Sequence, residues 1–236
     1  MQIYRRCLPA KVISFDLDDT LYDNVPIITK AETKLLEFVN NKLIAANVPE
    51  LTAQQWQQLK QNFANQNTML AHNVSALRQA FLTDLFTRNK LTQANKTAQQ
   101  AYQLFYQYRN NFNVAKSQVE LLNRLKNNYS LIAVTNGNAE PDLIGLNGVF
   151  DLVLRPQQNL RMKPAVDLFK QASELLEVKP QQILHVGDSE FTDVAGAINS
   201  GCQAAWFNDS GRLYQGRVLP HLQVSSIKTL VDWLVV

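Results

Sequence analysis

The sequence predicts an α/β protein in which a doubly wound parallel sheet carries an inserted, all-helical subdomain. Three observations lead there. Short apolar runs such as Val12-Ile13-Ser14-Phe15, Leu131-Ile132-Ala133-Val134 and Ile183-Leu184-His185-Val186 have the composition of strands covered on both faces. Segments of helical periodicity separate the later runs, as crossovers between parallel strands require. Between the first run and the second, residues 22–114 show helical periodicity and no convincing strand, so this block interrupts a crossover and is read as an insert. The length of 236 residues fits one large domain or a medium one with such an insert, at roughly 100–200 residues per domain.

The elements follow in order. The strand Val12–Phe15 ends at Asp16. Thr29-x-x-Glu32 has the form of a capping box ahead of Ala31, Leu35, Phe38, Val39 and Leu43, and Thr52-x-x-Gln55 precedes Trp56, Leu59 and Phe63. Asn73 opens a helix lined by Val74, Leu77, Phe81 and Leu85, and Thr92 one lined by Ala94, Ala98, Ala101, Phe105, Tyr108 and Phe112. Trp56, Phe63, Phe81 and Phe105 fall on helical stripes and are expected to form the core of the insert. Ser117-x-x-Glu120 caps a helix bearing Val119, Leu122 and Leu125, followed by the strand Leu131–Val134, which ends at Thr135-Asn136-Gly137. A short helix near 140–147, a strand over 150–154 and a helix opened by Pro164 come next. The strand Ile183–Val186 then ends at Gly187-Asp188, a helix near 191–200 is closed by Gly201, and Ala204–Phe207 is a further strand. The sheet domain is thus expected over 1–21 and 115–236, and the helical subdomain over 22–114.

Composition excludes several classes. Hydrophobic residues make up 46% and charged residues 18%, which suits neither a disordered tail nor a coiled coil. No apolar run reaches the roughly 18 residues that span a bilayer, and Met1–Arg6 leads into no signal-peptide core, so the reading is cytoplasmic with no membrane partner. Cys7 and Cys202 lack metal-ligand spacing and are expected to be plain thiols. The net charge is +3. Residues 51–116 hold Lys60, Arg78, Arg88, Lys90, Lys96, Arg109 and Lys116 against the single acid Asp84, yet these cations are scattered and do not form a nucleic-acid patch.

In an open parallel sheet, ligands sit beyond the carboxyl ends of the strands. Here those ends deliver Asp16-Leu17-Asp18-Asp19-Thr20, then Thr135 and Asn136, and then Gly187-Asp188 with Asp193, while Lys163 lies in the loop ahead of Pro164. Clustered carboxylates repel by roughly 4 kcal/mol at 4 Å and an effective dielectric of 20, so a cation is called for. Oxygen ligands without His or Cys favour a hard ion, Mg²⁺ where phosphate completes the shell. Lys163 and the Thr135 hydroxyl complete a cradle for a phosphoryl group. A lone Asp-x-Asp often marks only a turn; four motifs in order at strand ends are a different matter. His185, inside an apolar run, reads as a satisfied core histidine, and His72, Arg78 and Tyr22 as surface or packing residues.

These motifs closely resemble those of the haloacid-dehalogenase superfamily: Asp-x-Asp-x-Thr at Asp16–Thr20, a Ser/Thr at Thr135, a Lys at Lys163, and Gly-Asp-x-x-x-x-Asp at Gly187–Asp193. The resemblance covers essentially the whole chain, with the helical insert where that family's C1-type cap belongs and the sheet as its Rossmann-like core. It implies that Asp16 is the nucleophile forming an aspartyl-phosphate and that Asp18 is general acid and then base. It implies that Thr135, Asn136 and Lys163 bind phosphate and that Asp16, Asp18 (through its carbonyl), Asp188 and Asp193 form the Mg²⁺ site. Dehalogenases of the superfamily lack the second acid of the first motif, so Asp18 favours phosphoryl transfer. The wording around the motifs is similar to a bacterial branch that dephosphorylates 5-amino-6-(5-phospho-D-ribitylamino)uracil and FMN in riboflavin metabolism. The expected partner is a small phosphomonoester. A sugar-phosphate mutase and a non-catalytic phospholigand-binding regulator are the alternatives, and the oligomeric state is not legible.

Overall fold

The computed structural model describes residues 1–157 and 159–235. They divide into two compact units, one of residues 1–23 and 113–236 and one of residues 24–112.

The first unit is built on a seven-stranded sheet. Its strands are β1 (Gln2–Ile3), β2 (Val12–Phe15), β3 (Ser130–Val134), β4 (Leu152–Leu154), β5 (Ile183–Gly187), β6 (Gln203–Phe207) and β7 (Leu222–Val224), in the order β1-β7-β6-β5-β2-β3-β4. All pairings are parallel except that of β1 with β7. The sheet is the expected doubly wound one, and the chain leaves β2 for β3 and β4 on one side before crossing to β5 on the other. Register then sets the site, because Phe15 lies opposite both Ala133 and Val186. The residues that follow, Asp16, Val134 and Gly187, therefore emerge at one level.

Side chains alternate across the sheet. Val12, Ile132, Val134, Ile183, Ala204 and Trp206 pack with Leu168, Phe169 and Ala172 of α6 (Asp167–Leu175) and Ala197 of α7 (Gly196–Asn199). Ile13, Phe15, Leu131 and Ala133 point the other way and are equally buried. Two more helices pack on the sheet and on each other: α5 (Lys116–Lys126), through Leu122 and Leu125, and α8 (Ile227–Leu234), through Ile227, Leu230 and Val231.

The second unit comprises α1 (Val25–Ala45), α2 (Ala53–Gln66), α3 (Val74–Arg88) and α4 (Ala94–Arg109). Ala31, Leu35, Val39 and Leu43 of α1 form a stripe against Phe81, Leu82 and Phe86 of α3 and Ala98, Ala101 and Phe105 of α4. Trp56 and Phe81 meet edge to face at 5.1 Å, as the aromatic stripes anticipate, with Phe63 only partly buried. A polar centre forms at Glu32, which takes hydrogen bonds from Trp56 Nε1 at 3.0 Å, Lys60 at 2.8 Å and Arg78 at 2.7 Å. Burial pushes the Glu32 carboxyl up, but Arg78 and Lys60 outweigh it and hold the group below its ordinary range.

Several local expectations are corrected. Glu32 does not close a capping box with Thr29, because α1 starts at Val25, with Pro26 in its first turn. The caps at Asn73 and Thr52 form as read, whereas α4 follows Gln93 in a left-handed conformation and α5 follows Ala115, so Thr92 and Ser117 cap nothing. Pro164 follows a cis peptide bond, and α6 opens only at Asp167, whose carboxylate accepts hydrogen bonds from the Arg161 amide and guanidinium. The helix near 140–147 is a single 3-10 turn, Pro141–Leu143. β4 is shorter than 150–154 because the Asp151 carboxylate takes the Leu131 N–H that a strand carbonyl would have accepted. The helix near 191–200 begins with a wide π turn, Glu190–Ala195, before α7, and Gly201 closes it at φ +79°. β1, β7 and α8 were not expected. No helix among the described residues is long and apolar enough to cross a membrane.

Candidate active site

Asp16 continues the β2 ladder by donating its N–H to Val186 O at 2.9 Å, which fixes the carboxylate at the sheet's rim. The next residues turn sharply: Leu21 N bonds Leu17 O, and Asp19 sits at φ +58°. Thr20, part of the first motif but given no role from sequence, is buried and accepts the Asp188 N–H at 3.2 Å, tying the loop after β2 to the loop after β5.

Lys163 is the centre of the arrangement. Although it is only 1% exposed, its ammonium donates to Asp16 Oδ1 at 3.0 Å, Asp193 Oδ1 at 2.6 Å and Val134 O at 2.6 Å. An ammonium has three hydrogens, and these partners account for them. Toward an anion Lys163 would therefore act as a point charge and not as a directed donor. The Asn136 side chain holds the lysine's main chain, donating to Lys163 O at 2.9 Å and accepting Lys163 N–H at 2.8 Å. That finding gives Asn136 a task the motif reading does not contain, the holding of the Lys163 main chain. Thr135 is buried, and its hydroxyl accepts Gly137 N–H at 3.1 Å, which leaves the hydroxyl hydrogen to be donated elsewhere.

Behind the lysine lies a network of buried polar groups. Asp193 Oδ2 accepts Ser189 N–H at 2.9 Å, while His185 Nε2 stands 3.2 Å from Asp193 Oδ1 and His185 Nδ1 2.8 Å from Ser14 Oγ. Burial first, and then the nearby Lys163 ammonium, push His185 down to about 4, so the ring is neutral. The assignment that satisfies every partner has Nε2–H donating to Asp193 and the Ser14 hydroxyl donating to Nδ1. His185 is thus the satisfied core histidine expected, although the motifs did not reveal its company.

Two glycines are required by close approach. A Cβ on Gly137 would lie 2.4 Å from Asp18 Oδ2, and one on Gly187 would lie 2.3 Å from Asp193 Cγ. The other oxygen of Asp18 accepts a hydrogen bond from Tyr22 at 2.5 Å. Asp188 is half-buried at a cleft of about 490 Å³ that Tyr22, Asp19, Asp209 and Arg212 also line, and Arg212 Nη2 lies 3.9 Å from Asp188 Oδ2.

The electrostatics follow from burying more acid than base. Burial, with Asp193 and Asp18 adding repulsion, drives Asp16 up to about 7 even against Lys163. Burial together with Asp193 and Asp19 drives Asp188 up to about 6. Asp193 goes the other way: Lys163 and His185 outweigh its burial and hold it well below the carboxylate range. Lys163 is raised, since Asp16 and Asp193 overcome its own burial. Asp16, Asp188 and Asp193 each place an oxygen within 4.8 Å of the others. That all-oxygen set fits a hard divalent cation, with Asp193 the most heavily engaged by protein donors.

A family model described as haloacid dehalogenase-like hydrolase matches residues 10–201. The chain belongs to that family. It is 36% identical to the 5-amino-6-(5-phospho-D-ribitylamino)uracil phosphatase YigB of Escherichia coli (strain K12), over 98% of this chain and 99% of the relative. It is 26% identical to the N-acylneuraminate-9-phosphatase of Homo sapiens, over 94% and 92% respectively. Among solved structures, a 2-haloacid dehalogenase from Pseudomonas syringae pv. Tomato DC3000 shares the fold with a TM-score of 0.87 at 26% identity, covering 95% of this chain and 98% of that one. As a haloacid dehalogenase-like hydrolase with curated relatives named as phosphatases, the protein is an enzyme, a phosphoric monoester hydrolase.

The glycine contacts make a direct prediction. Gly137→Ala and Gly187→Ala each push a carboxylate aside, and a displacement near 1 Å costs on the order of 10²-fold in rate. Phosphomonoester turnover is expected to fall by about that factor with the far-UV circular dichroism unchanged. Full activity in both variants would show that neither carboxylate needs its observed position.

Proposed function

We propose that the protein is a Mg²⁺-dependent phosphatase that hydrolyses small phosphomonoesters through an aspartyl-phosphate on Asp16, with the helical unit serving as its cap. The observation that carries this reading is the convergence of Asp16, Asp18, Thr135, Lys163 and the Asp188/Asp193 pair at the ends of β2, β3 and β5. Lys163 holds Asp16 Oδ1, which leaves Oδ2 to attack phosphorus. The Thr135 hydroxyl donates to a phosphoryl oxygen, and the Lys163 charge offsets the negative charge gathering there. As the ester P–O bond breaks, Asp18 gives its proton to the departing alkoxide, and the phosphoryl group is left on Asp16. Asp18 then takes a proton from water as the water attacks phosphorus, so phosphate leaves and the Asp16 carboxylate is restored. Asp16 and Asp188, with the Asp18 carbonyl and Asp193 beside them, would hold Mg²⁺, and the bound ion would offset the repulsion among carboxylates and phosphate.

The substrate we propose is 5-amino-6-(5-phospho-D-ribitylamino)uracil, FMN, or both. Support comes from the activity named for the 36% identical relative, which aligns along nearly the full length of both chains. Both molecules carry a terminal phosphate on a flexible ribityl chain, and binding energy from the ring can position that phosphate.

Three measurements test this reading. Asp16→Asn, nearly isosteric but unable to form the acyl-phosphate, is expected to lose more than about 10³-fold in kcat while staying folded; substantial residual turnover would sink the nucleophile assignment. The raised Asp16 and Asp188 carboxyls favour the folded state at low pH, a contribution lost as pH rises through about 6 and 7. Mg²⁺ competes with those same protons, so the Tm increase on adding Mg²⁺ is expected to be larger at pH 8 than at pH 5, and equal increases would remove these carboxylates from the metal site. Finally, kcat/KM for the uracil intermediate and FMN should exceed that for ribose 5-phosphate, glycerol phosphate and a nucleoside monophosphate. If one of the latter won by more than about tenfold, roughly 1.4 kcal/mol, the flavin-pathway assignment would fall and the general phosphatase would remain.

A further inference from the structure

The two oxygens of the Asp18 carboxylate have different surroundings. Oδ1 accepts the Tyr22 hydroxyl at 2.5 Å. Oδ2 lies against Gly137, 2.4 Å from where a Cβ would stand, and the Thr135 hydroxyl oxygen is 3.4 Å from that same point. Oδ2 therefore faces the loop after β3 that carries the phosphate-binding threonine, and Oδ1 faces away from it, toward Tyr22.

The backbone builds this contact. Asp19 takes a left-handed conformation at φ +58°, its N–H donates to Tyr22 O at 2.9 Å, and residues 18 and 22 form an isolated parallel bridge. The turn returns the chain so that the tyrosine ring, half-buried at the cleft beside Asp188, reaches back to the carboxylate two residues after Asp16. Left-handed conformation is uncommon for a residue with a side chain, so the turn is held by its surroundings.

We propose that Tyr22 is a positioning residue for proton transfer: it holds Asp18 Oδ1 and thereby assigns Oδ2 as the atom that carries the proton. The inference rests on the reading of Asp18 as the acid. A phenol O–H donates to Oδ1 whether Asp18 is ionised or protonated on Oδ2, because Oδ1 is then the carbonyl oxygen and still accepts. The contact is therefore compatible with both halves of the reaction. In the first half the proton leaves Oδ2 for the alkoxide oxygen as the P–O bond breaks and the bond from Asp16 to phosphorus forms. Without the hydroxyl, rotation of the carboxyl group exchanges the two oxygens and spends part of the population with the proton directed away from the leaving group.

The test compares Tyr22→Phe, which keeps the ring, with Asp18→Asn and wild type, using p-nitrophenyl phosphate and an alkyl phosphate such as ribose 5-phosphate. The readout is kcat/KM, which stops at transfer to Asp16 and so excludes the later water step. An aryl leaving group needs little protonation and an alkoxide needs much. Tyr22→Phe is expected to lose about tenfold on the alkyl ester and under about twofold on the aryl ester, with Tm close to wild type. Equal losses on both esters would mark Tyr22 as merely structural, and no loss on the alkyl ester would show that the hydroxyl does nothing; either overturns the proposal. Asp18→Asn is read separately. A loss of about 10²–10⁴-fold on the alkyl ester, and less on the aryl ester, sustains Asp18 as the acid, whereas equal losses would refute that reading whatever Tyr22 does.

Discussion

A lysine ammonium shut away from water would be untenable without anionic partners, and the carboxylates around Lys163 would be untenable without the lysine. This mutual requirement organises the site. Asp193 accepts hydrogen bonds from Lys163, Ser189 and His185, and it stays ionised as a counter-charge to the lysine. Asp16 shares the same ammonium but not the same depth of compensation, and its raised pKa records the shortfall. Lys163 and, 3.9 Å from Asp188, Arg212 do not neutralise Asp16, Asp193 and Asp188 together. The residual negative charge is what a divalent ion would complement, and its position at the rim puts the compensation where a phosphoryl group would arrive.

Holding that arrangement consumes residues far apart in sequence. Asn136 fixes the lysine main chain from the end of β3, Val134 O receives its third hydrogen, and Ser14 reaches Asp193 through His185 from the middle of β2. Ser14 and His185 are register partners on adjacent strands, so the sheet itself sets their contact. Gly187 completes the fit by leaving room for Asp193. Removal of any one support leaves a buried group unpaired, which commonly costs more than the bond itself contributes.

The parts legible in the sequence share one property: their signal is local or lies at a strand end. Continuous apolar runs located β2, β3, β5 and β6 within a residue or so, and the residues just beyond them are those the register brings together. What escaped reading depends on tertiary partners. β1 is two residues long with both exposed, and it exists because β7 is beside it. For α8 a signal was present, since Ser226 caps Thr229 N–H ahead of Ile227, Leu230 and Val231. Thr29-x-x-Glu32 misled for the opposite reason: the spacing was right, but Glu32 is drawn inward by Trp56, Lys60 and Arg78. The contacts of Ser14, Asn136 and Tyr22 carry no motif of their own, because each is set by placement in the folded chain.

The charge asymmetry of the chain also reads differently once partners are known. Lys60 and Arg78 are tied to Glu32, with Arg78 also stacked 3.6 Å over the Phe105 ring, and Arg88 pairs with Asp84. Arg109 is buried. Three of the seven cations across residues 51–116, Lys60, Arg78 and Arg109, are therefore held inside the helical unit, and the field left for steering an anionic ligand is smaller than the sequence count implies. The fold does not choose the chemistry either, because a chain named as a dehalogenase shares it at a TM-score of 0.87. On the superfamily pattern, the choice falls to the second acid of the first motif. In this chain that acid is present as Asp18, Gly137 leaves space for one of its oxygens and Tyr22 engages the other. Under the proposed reading, the choice between ester hydrolysis and halide displacement rests on Asp18, whose carboxylate these two neighbours hold in place.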